Sequence, residues 1–173
     1  MIDFFKKYKF KIIVVLTIIV TVVAISVTII TLMTNQKTVI SPDFAPIEKE
    51  TYAETLDGEN TEKLQQQEGG GAVSLTYSKD VTIDLANDTA EFLFQNPAKS
   101  NQNMVLQIVI HDTVVAQSGL IETGYGVKKL DLFKSVDLQV GEYEGKYNVL
   151  YYDAESGEKA ILNTEIPISI VVK

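Results

Sequence analysis

The longest feature of the hydropathy pattern is an apolar run near the N-terminus. Residues 12–33 read IIVVLTIIVTVVAISVTIITLM, twenty-two positions without a charge. A helix of that length would extend about 33 Å, enough to cross a hydrocarbon core of about 30 Å. The pattern therefore predicts a transmembrane anchor over residues 12–34.

Charge on either side of this run predicts the orientation of the anchor. Four Lys precede it within residues 6–11, and the next charge after it is Lys37. Because cytoplasmic flanks carry an excess of basic residues, residues 1–11 are predicted to be a cytoplasmic tail and the remainder to lie outside the cell. A signal peptide cleaved near Ala24 or Ser26 is the alternative, but the apolar run continues past both positions and favours an uncleaved anchor.

A polar segment follows the predicted anchor. Residues 35–71 hold eight acidic residues, three Lys and two Pro, with few large apolar side chains. Such a stretch cannot bury enough surface to offset the entropy of ordering it. We therefore expect a flexible acidic linker, with a root-mean-square reach of about 35 Å.

Residues 72–173 alternate apolar and polar positions in short runs separated by turn signals. The six clearest runs are residues 81–85, 90–95, 104–111, 130–132, 145–152 and 165–172. A period of two indicates strands with one buried face, and no stretch holds a helical period for ten residues. The pattern predicts one all-β domain, folded as a two-sheet sandwich.

One local motif indicates how the strands connect. Leu138, Gly141 and Tyr143 give an L-x-x-G-x-Y spacing just before the run at residues 145–152. This is the spacing of the tyrosine corner in Greek-key sandwiches, where the Tyr hydroxyl bonds to backbone upstream. A glycine turn followed by an ordinary strand tyrosine is the alternative.

Two further stretches extend the motif into a resemblance. With Phe94-x-Asn96-Pro97 and Ser118-Gly119-Leu120-Ile121, the corner resembles the pattern of immunoglobulin-like modules in Gram-positive surface proteins. The resemblance covers residues 72–173 and implies an immunoglobulin-like Greek-key β-sandwich. The sequence lacks the cysteine pair and the core Trp of antibody-type domains.

The same assignment predicts a partner-binding face. If residues 145–152 are strand F, then residues 104–111 and 165–172 are strands C and G of the same sheet. Alternation then points a mostly apolar set outward from that sheet, namely Val105, Val109, His111, Leu150, Tyr152, Pro167 and Val171. An apolar outer face on one sheet only is typical of a binding surface, and scattered surface residues or a covering loop are the alternatives.

Composition narrows the chemistry that is open to the chain. It has 15 Lys, no Arg, 23 acidic residues and no Cys, for a net charge of −8. The missing Cys excludes a disulfide scaffold, a cysteine-ligated metal site and a thiol enzyme. Nucleic acid is not an expected partner, because the chain has no basic face to displace counterions.

Candidate catalytic and metal-binding residues are few. His111 is the single histidine, so neither a catalytic triad nor a multi-histidine metal site can be built. The acids of residues 153–158 crowd a turn but lack the spacing of a strong calcium loop, which favours a solvated hairpin. The sequence therefore predicts no enzyme activity, no cofactor, no metal and no small-molecule substrate.

These observations predict a single-pass protein of the cell envelope that works by binding. The lipid bilayer would be contacted through residues 12–34, and an envelope or surface protein would be the partner in an adhesion, scaffold or accessory role. A tethered or secreted inhibitor is the alternative. It would act through the loops at residues 96–103 or 119–126, since loops on rigid sandwiches often carry binding residues.

Overall fold

The chain divides into two units, Met1–Thr38 and Val39–Lys173. The computed structural model describes residues 16–21, 43–58, 61–66, 70–134 and 136–173. Residues 16–21 are α-helical, and among the described residues no helix is both long and apolar enough to span a membrane. The predicted cytoplasmic tail, the rest of the predicted anchor and residues 35–42 lie outside the described residues.

The second unit is built from β-strands. They are β1 (Glu54–Thr55), β2 (Thr76–Tyr77), β3 (Asp80–Asp84), β4 (Thr89–Asn96), β5 (Gln102–Ile110), β6 (Thr113–Gln117), β7 (Tyr125–Asp131), β8 (Gly141–Asp153) and β9 (Thr164–Val172). The six predicted runs correspond to β3, β4, β5, β7, β8 and β9. The all-β prediction is thus confirmed for the described part of this unit, while β1, β2 and β6 were not predicted.

The strands form one curled sheet in the order β1-β7-β4-β3-β9-β8-β5-β6, with β2 paired to β4. β3 and β9 pair in parallel, and the other strand pairs are antiparallel. A bridge between Ala116 and Leu132 brings β6, the last strand of the order, against the end of β7, the second strand. β8 lies between β5 and β9, so the three runs that were predicted to share one sheet are neighbours in it.

The curl encloses an apolar core in which β8 faces β4. Tyr147 of β8 is fully buried, and its ring centroid lies 5.8 Å from that of Phe92 and 6.0 Å from that of Phe94. The inward positions of β9, Ile166, Ile168 and Ile170, are also buried. Because burial of a large apolar side chain contributes about 1.5–3 kcal/mol, these contacts hold the opposing arms of the sheet together.

The structure differs from the linker prediction at residues 43–58, which pack on the sheet. Phe44 forms an isolated bridge with Glu158, and Lys49 forms one with Leu120. We call residues 43–50 the strap; beyond it, β1 pairs with β7. These contacts use backbone groups, which every residue carries, so a polar composition does not prevent them.

Candidate partner-binding face

The predicted partner-binding face is the outer surface of β6, β5, β8 and β9. Register places Val105 of β5 opposite Leu150 of β8, and Val109 opposite Lys146. Side chains alternate across a sheet, so these positions point away from the core residues between them. Along β5 and β8 the face has a covered apolar end, a polar middle and an open end.

The strap covers the apolar end. Val105, Leu150 and Tyr152 form a small cluster against which Ala45 of the strap and Leu120 pack. None of the three is more than 1% exposed. They are not available to a partner in this structure, which corrects the prediction for these three residues. The physical reason is that a contiguous apolar surface gains free energy when covered, and the chain itself provides the cover.

Backbone hydrogen bonds fix the first part of the strap. The Ala45 N–H donates to the Gly157 carbonyl at 2.7 Å, and the Lys159 N–H donates to the Asp43 carbonyl at 2.9 Å. Gly157 and Lys159 both belong to the turn that follows β8. The strap therefore adds a short strand-like edge to that turn.

A second set of bonds fixes the end of the strap at Gly119 and Leu120. The Leu120 N–H donates to the Glu48 carbonyl at 3.0 Å, and the Glu50 N–H donates to the Leu120 carbonyl at 3.0 Å. The Glu50 carboxylate accepts the Gly119 N–H at 2.7 Å. A Cβ on Gly119 would lie 2.9 Å from Glu50 N and from the Lys49 carbonyl carbon, so this approach requires glycine.

The middle of the face is a polar ladder across three strands. The Gln107 side-chain amide donates to Gln117 of β6 at 2.7 Å, and the Asn148 amide donates to Gln107 at 2.7 Å. Gln107 is fully buried, so these bonds satisfy groups that would be costly to leave unpaired. The ladder separates the covered apolar end from the open end.

The open end is a shallow groove of about 530 Å³. It is lined by Val109, His111, Asp112, Glu144, Gly145, Lys146, Glu165 and Pro167. The Lys146 ammonium lies 2.9 Å from the Glu165 carboxylate, and this hydrogen bond raises the pKa of Lys146. Three carboxylates and one ammonium leave the groove acidic on balance, beside Pro167, which is exposed, and Val109, which is only 7% exposed.

Two backbone features shape the rim of the groove. His111 and Asp112 form the two-residue turn between β5 and β6, both with positive φ, at 45° and 59°. The Ser169 N–H donates to Lys79 on the β3 side of β9. Backbone direction repeats every two residues along a strand, so the Pro167 nitrogen also points toward β3. Pairing with β3 begins only at Ser169, so the N–H that Pro167 lacks is not needed for a ladder hydrogen bond.

The structure thus separates the seven predicted face residues. Val109, His111 and Pro167 line the groove, whereas Val171 is exposed on β9 outside it. Sequence reasoning missed the four charged lining residues, Asp112, Glu144, Lys146 and Glu165. The available signal was that β8 carries charged outward positions in its first half and apolar ones in its second half.

The corner motif makes the backbone contact that the spacing suggests. The Tyr143 hydroxyl donates to the Gln139 carbonyl at 2.9 Å and accepts the Gln139 N–H at 3.3 Å. Leu138 packs against the core, and Gly141 is the first residue of β8. The Tyr143 ring also lies 6.0 Å from the His111 ring, which links the corner to the rim of the groove.

The two loops of the inhibitor hypothesis are engaged by the chain itself. The Asn96 side-chain amide donates to the Gln102 and Ile121 carbonyls, at 3.0 and 3.2 Å. The Leu64 N–H donates to the Lys99 carbonyl at 2.8 Å, so part of the predicted linker lies on the first loop. The strap occupies the start of the second loop.

The acidic turn after β8 uses its first carboxylate internally. Asp153 accepts the backbone N–H groups of Glu155 and Ser156, at 3.0 and 2.7 Å, and these bonds lower its pKa. Across the ranges that the structure describes, no group of three or more His, Cys, Asp or Glu side chains comes together to hold a metal ion.

Comparisons with known proteins do not assign a family. A scan against family models found no match, and a search of curated proteins found none either. Among solved structures the chain is similar to the CooA pilin subunit from enterotoxigenic Escherichia coli, at 12% identity over 58% of this chain and 98% of that chain, with a TM-score of 0.26. A similarity of this size does not establish a shared fold.

Proposed function

We propose that this chain is a membrane-anchored binding module of the cell envelope, held by one N-terminal helix and presenting an immunoglobulin-like sandwich outside the cell. Its role is to bind another protein through the groove at the open end of the face. The observation that carries the proposal is that this groove remains open while the chain's own strap covers the adjoining apolar surface.

The strand order supports the immunoglobulin-like interpretation. β4 pairs with β3 and β7, whereas β8 pairs with β5 and β9, so two groups of strands face each other across the core. The parallel β3–β9 pair connects the two groups. The Tyr143–Gln139 bonds support the corner.

The support for the anchor is the sequence. An uncharged run of twenty-two residues follows four Lys, and the chain beyond it is acidic. Labelling tests this arrangement, because a chain without Cys can carry a single introduced thiol. A membrane-impermeant maleimide should label Glu144→Cys in intact cells without permeabilisation. Labelling only after permeabilisation would contradict an external domain.

Site-specific photo-crosslinking tests the binding role. A photoactivatable maleimide on Glu144→Cys should crosslink one reproducible partner in intact membranes. The matched control is Glu91→Cys, an exposed glutamate of β4 on the opposite arm of the sheet. Charge reversal by Glu144→Lys should reduce recovery of that partner, and Glu91→Lys should not. Equal crosslinking from both positions, or none from Glu144, would refute the groove as the binding site.

A further inference from the structure

A second apolar surface lies where the strap begins. The Phe44 side chain is 61% exposed, Ile161 is 100% exposed and Leu162 is 78% exposed. Phe44 and Ile161 line one shallow depression of about 410 Å³, together with Asp43, Glu158, Lys159 and Ala160. We call Phe44, Ile161 and Leu162 the apolar corner.

Backbone contacts hold the Phe44 side of the apolar corner. Phe44 bridges Glu158, and the hydrogen bonds on either side of it, from Ala45 to Gly157 and from Lys159 to Asp43, fix the strap against this turn. A contiguous exposed apolar patch marks an interaction site, whereas apolar residues scattered singly over a surface do not.

The position of the corner along the chain indicates its partner. Eight residues, 35–42, separate the predicted anchor from Asp43. Fully extended, they reach about 30 Å at most. β8 is 13 residues long and ends at this turn. Its first residue, next to Val140, therefore lies about 40 Å from the turn. The tether is shorter than that strand, so its reach favours contact between the apolar corner and the bilayer over contact at the far end of β8.

We infer that the apolar corner docks on the lipid bilayer, with Phe44, Ile161 and Leu162 entering the interfacial region. This inference rests on the proposed anchor. The contact is driven by apolar burial, because the flanking charges are two acids, Asp43 and Glu158, against one cation, Lys159. A docked corner would present the sheet in one orientation to the membrane surface.

Single-thiol fluorescence tests the docking on the full chain. An environment-sensitive dye is attached to Ile161→Cys, and the protein is reconstituted into phosphatidylcholine vesicles with and without spin-labelled lipid. We expect a blue shift and several-fold stronger quenching by the lipid label than at Val140→Cys. Val140 is the matched control, since it is also a large apolar residue and 74% exposed.

Two additional variants separate the possible outcomes. A dye on Ala24→Cys reports the anchor: quenching there without quenching at Ile161 would overturn the docking and leave the proposed function standing, whereas no quenching at Ala24 would overturn both. Phe44→Asp should release the Ile161 dye into water, because it places a charge in the corner. A blue shift at Ile161 that the lipid label does not quench would indicate contact with protein and would also overturn the inference.

Discussion

Substitution of Gly119 by Ala should detach the strap. The new Cβ would lie 2.9 Å from Glu50 N and from the Lys49 carbonyl carbon, and 3.0 Å from the Glu48 carbonyl oxygen. All three atoms belong to backbone, so no side-chain rotation relieves the contact. The strap has to move, and its three hydrogen bonds to Gly119 and Leu120 lengthen or break.

The size of the effect follows from those bonds. Two are neutral backbone bonds worth about 0.5–1.5 kcal/mol each, and the third, to the Glu50 carboxylate, is worth about 1.5–3 kcal/mol. With partial relaxation, we expect Gly119→Ala to lower the free energy of unfolding by about 2–4 kcal/mol. If the new Cβ met no backbone atom, Gly119→Ala would instead raise the free energy of unfolding. At an unstrained position Gly→Ala stabilises by about 0.4–1 kcal/mol, because it reduces the conformational entropy of the unfolded chain.

Denaturant unfolding and hydrogen exchange of the full chain in detergent measure this prediction. The Leu120 and Glu50 amides should lose protection before core amides do. Gly58→Ala is the control, since φ there is +73° and no atom lies within 4 Å of the added Cβ. Gly58→Ala should lower the free energy of unfolding by about 1 kcal/mol, because an alanine disfavours this positive φ. It should leave the hydrogen-exchange protection of the strap amides unchanged. A Gly119→Ala variant that is neutral or stabilised, with both amides protected, would refute the reasoning.

Three further predictions concern tyrosines. The buried Tyr147 hydroxyl lies beside the Ser78 side chain but makes no hydrogen bond of good geometry with the described residues, whereas the Tyr151 hydroxyl donates to a threonine hydroxyl at 2.8 Å. Denaturant unfolding should therefore show Tyr147→Phe to be neutral or stabilising and Tyr151→Phe to cost about 1 kcal/mol. Burial raises the pKa of Tyr147 above the ordinary value of 10.0, so the unfolded chain ionises first and stability falls as pH rises past about 10. Melting curves should show a shallower alkaline decline for Tyr147→Phe, and an equal slope would contradict this assignment. Tyr143→Phe should lower the free energy of unfolding by about 1 kcal/mol, because it removes the bonds to Gln139. An unchanged unfolding midpoint would show that the tyrosine corner does not stabilise the fold.

The strands could be predicted from the sequence where alternation is strong. Ile166, Ile168 and Ile170 are buried on β9 because a period of two leaves only one face for the core. β5 is harder, since along Met104–Ile110 both of its faces are apolar except at Gln107. That pattern cannot distinguish a surface that binds another protein from one that the chain covers itself.

The covering strap leaves little trace in the sequence. Its bonds come from backbone groups of four residues, from the Glu50 carboxylate and from an ion pair between Lys49 and Glu122, none of which creates a hydrophobic period. The apolar stretch at residues 44–47 within an acidic segment was the one local signal. The charged rim of the groove was missed for a related reason, because Lys146 and Glu165 meet diagonally across β8 and β9 and are 19 positions apart in the chain.

The strap also determines how the second unit carries mechanical load. A pull transmitted through residue 43 reaches the Phe44–Glu158 bridge first, then the Lys49–Leu120 bridge, and these isolated contacts yield one after the other. β9, by contrast, resists along nine paired positions with β8 and four with β3. Under tension from the N-terminal side, the strap peels at lower force than the sheet unfolds, because its contacts are few and local. Val105, Leu150 and Tyr152 would then lose the cover of Ala45 while Leu120 stays packed against them, so tension would expose part of this surface on an intact sheet.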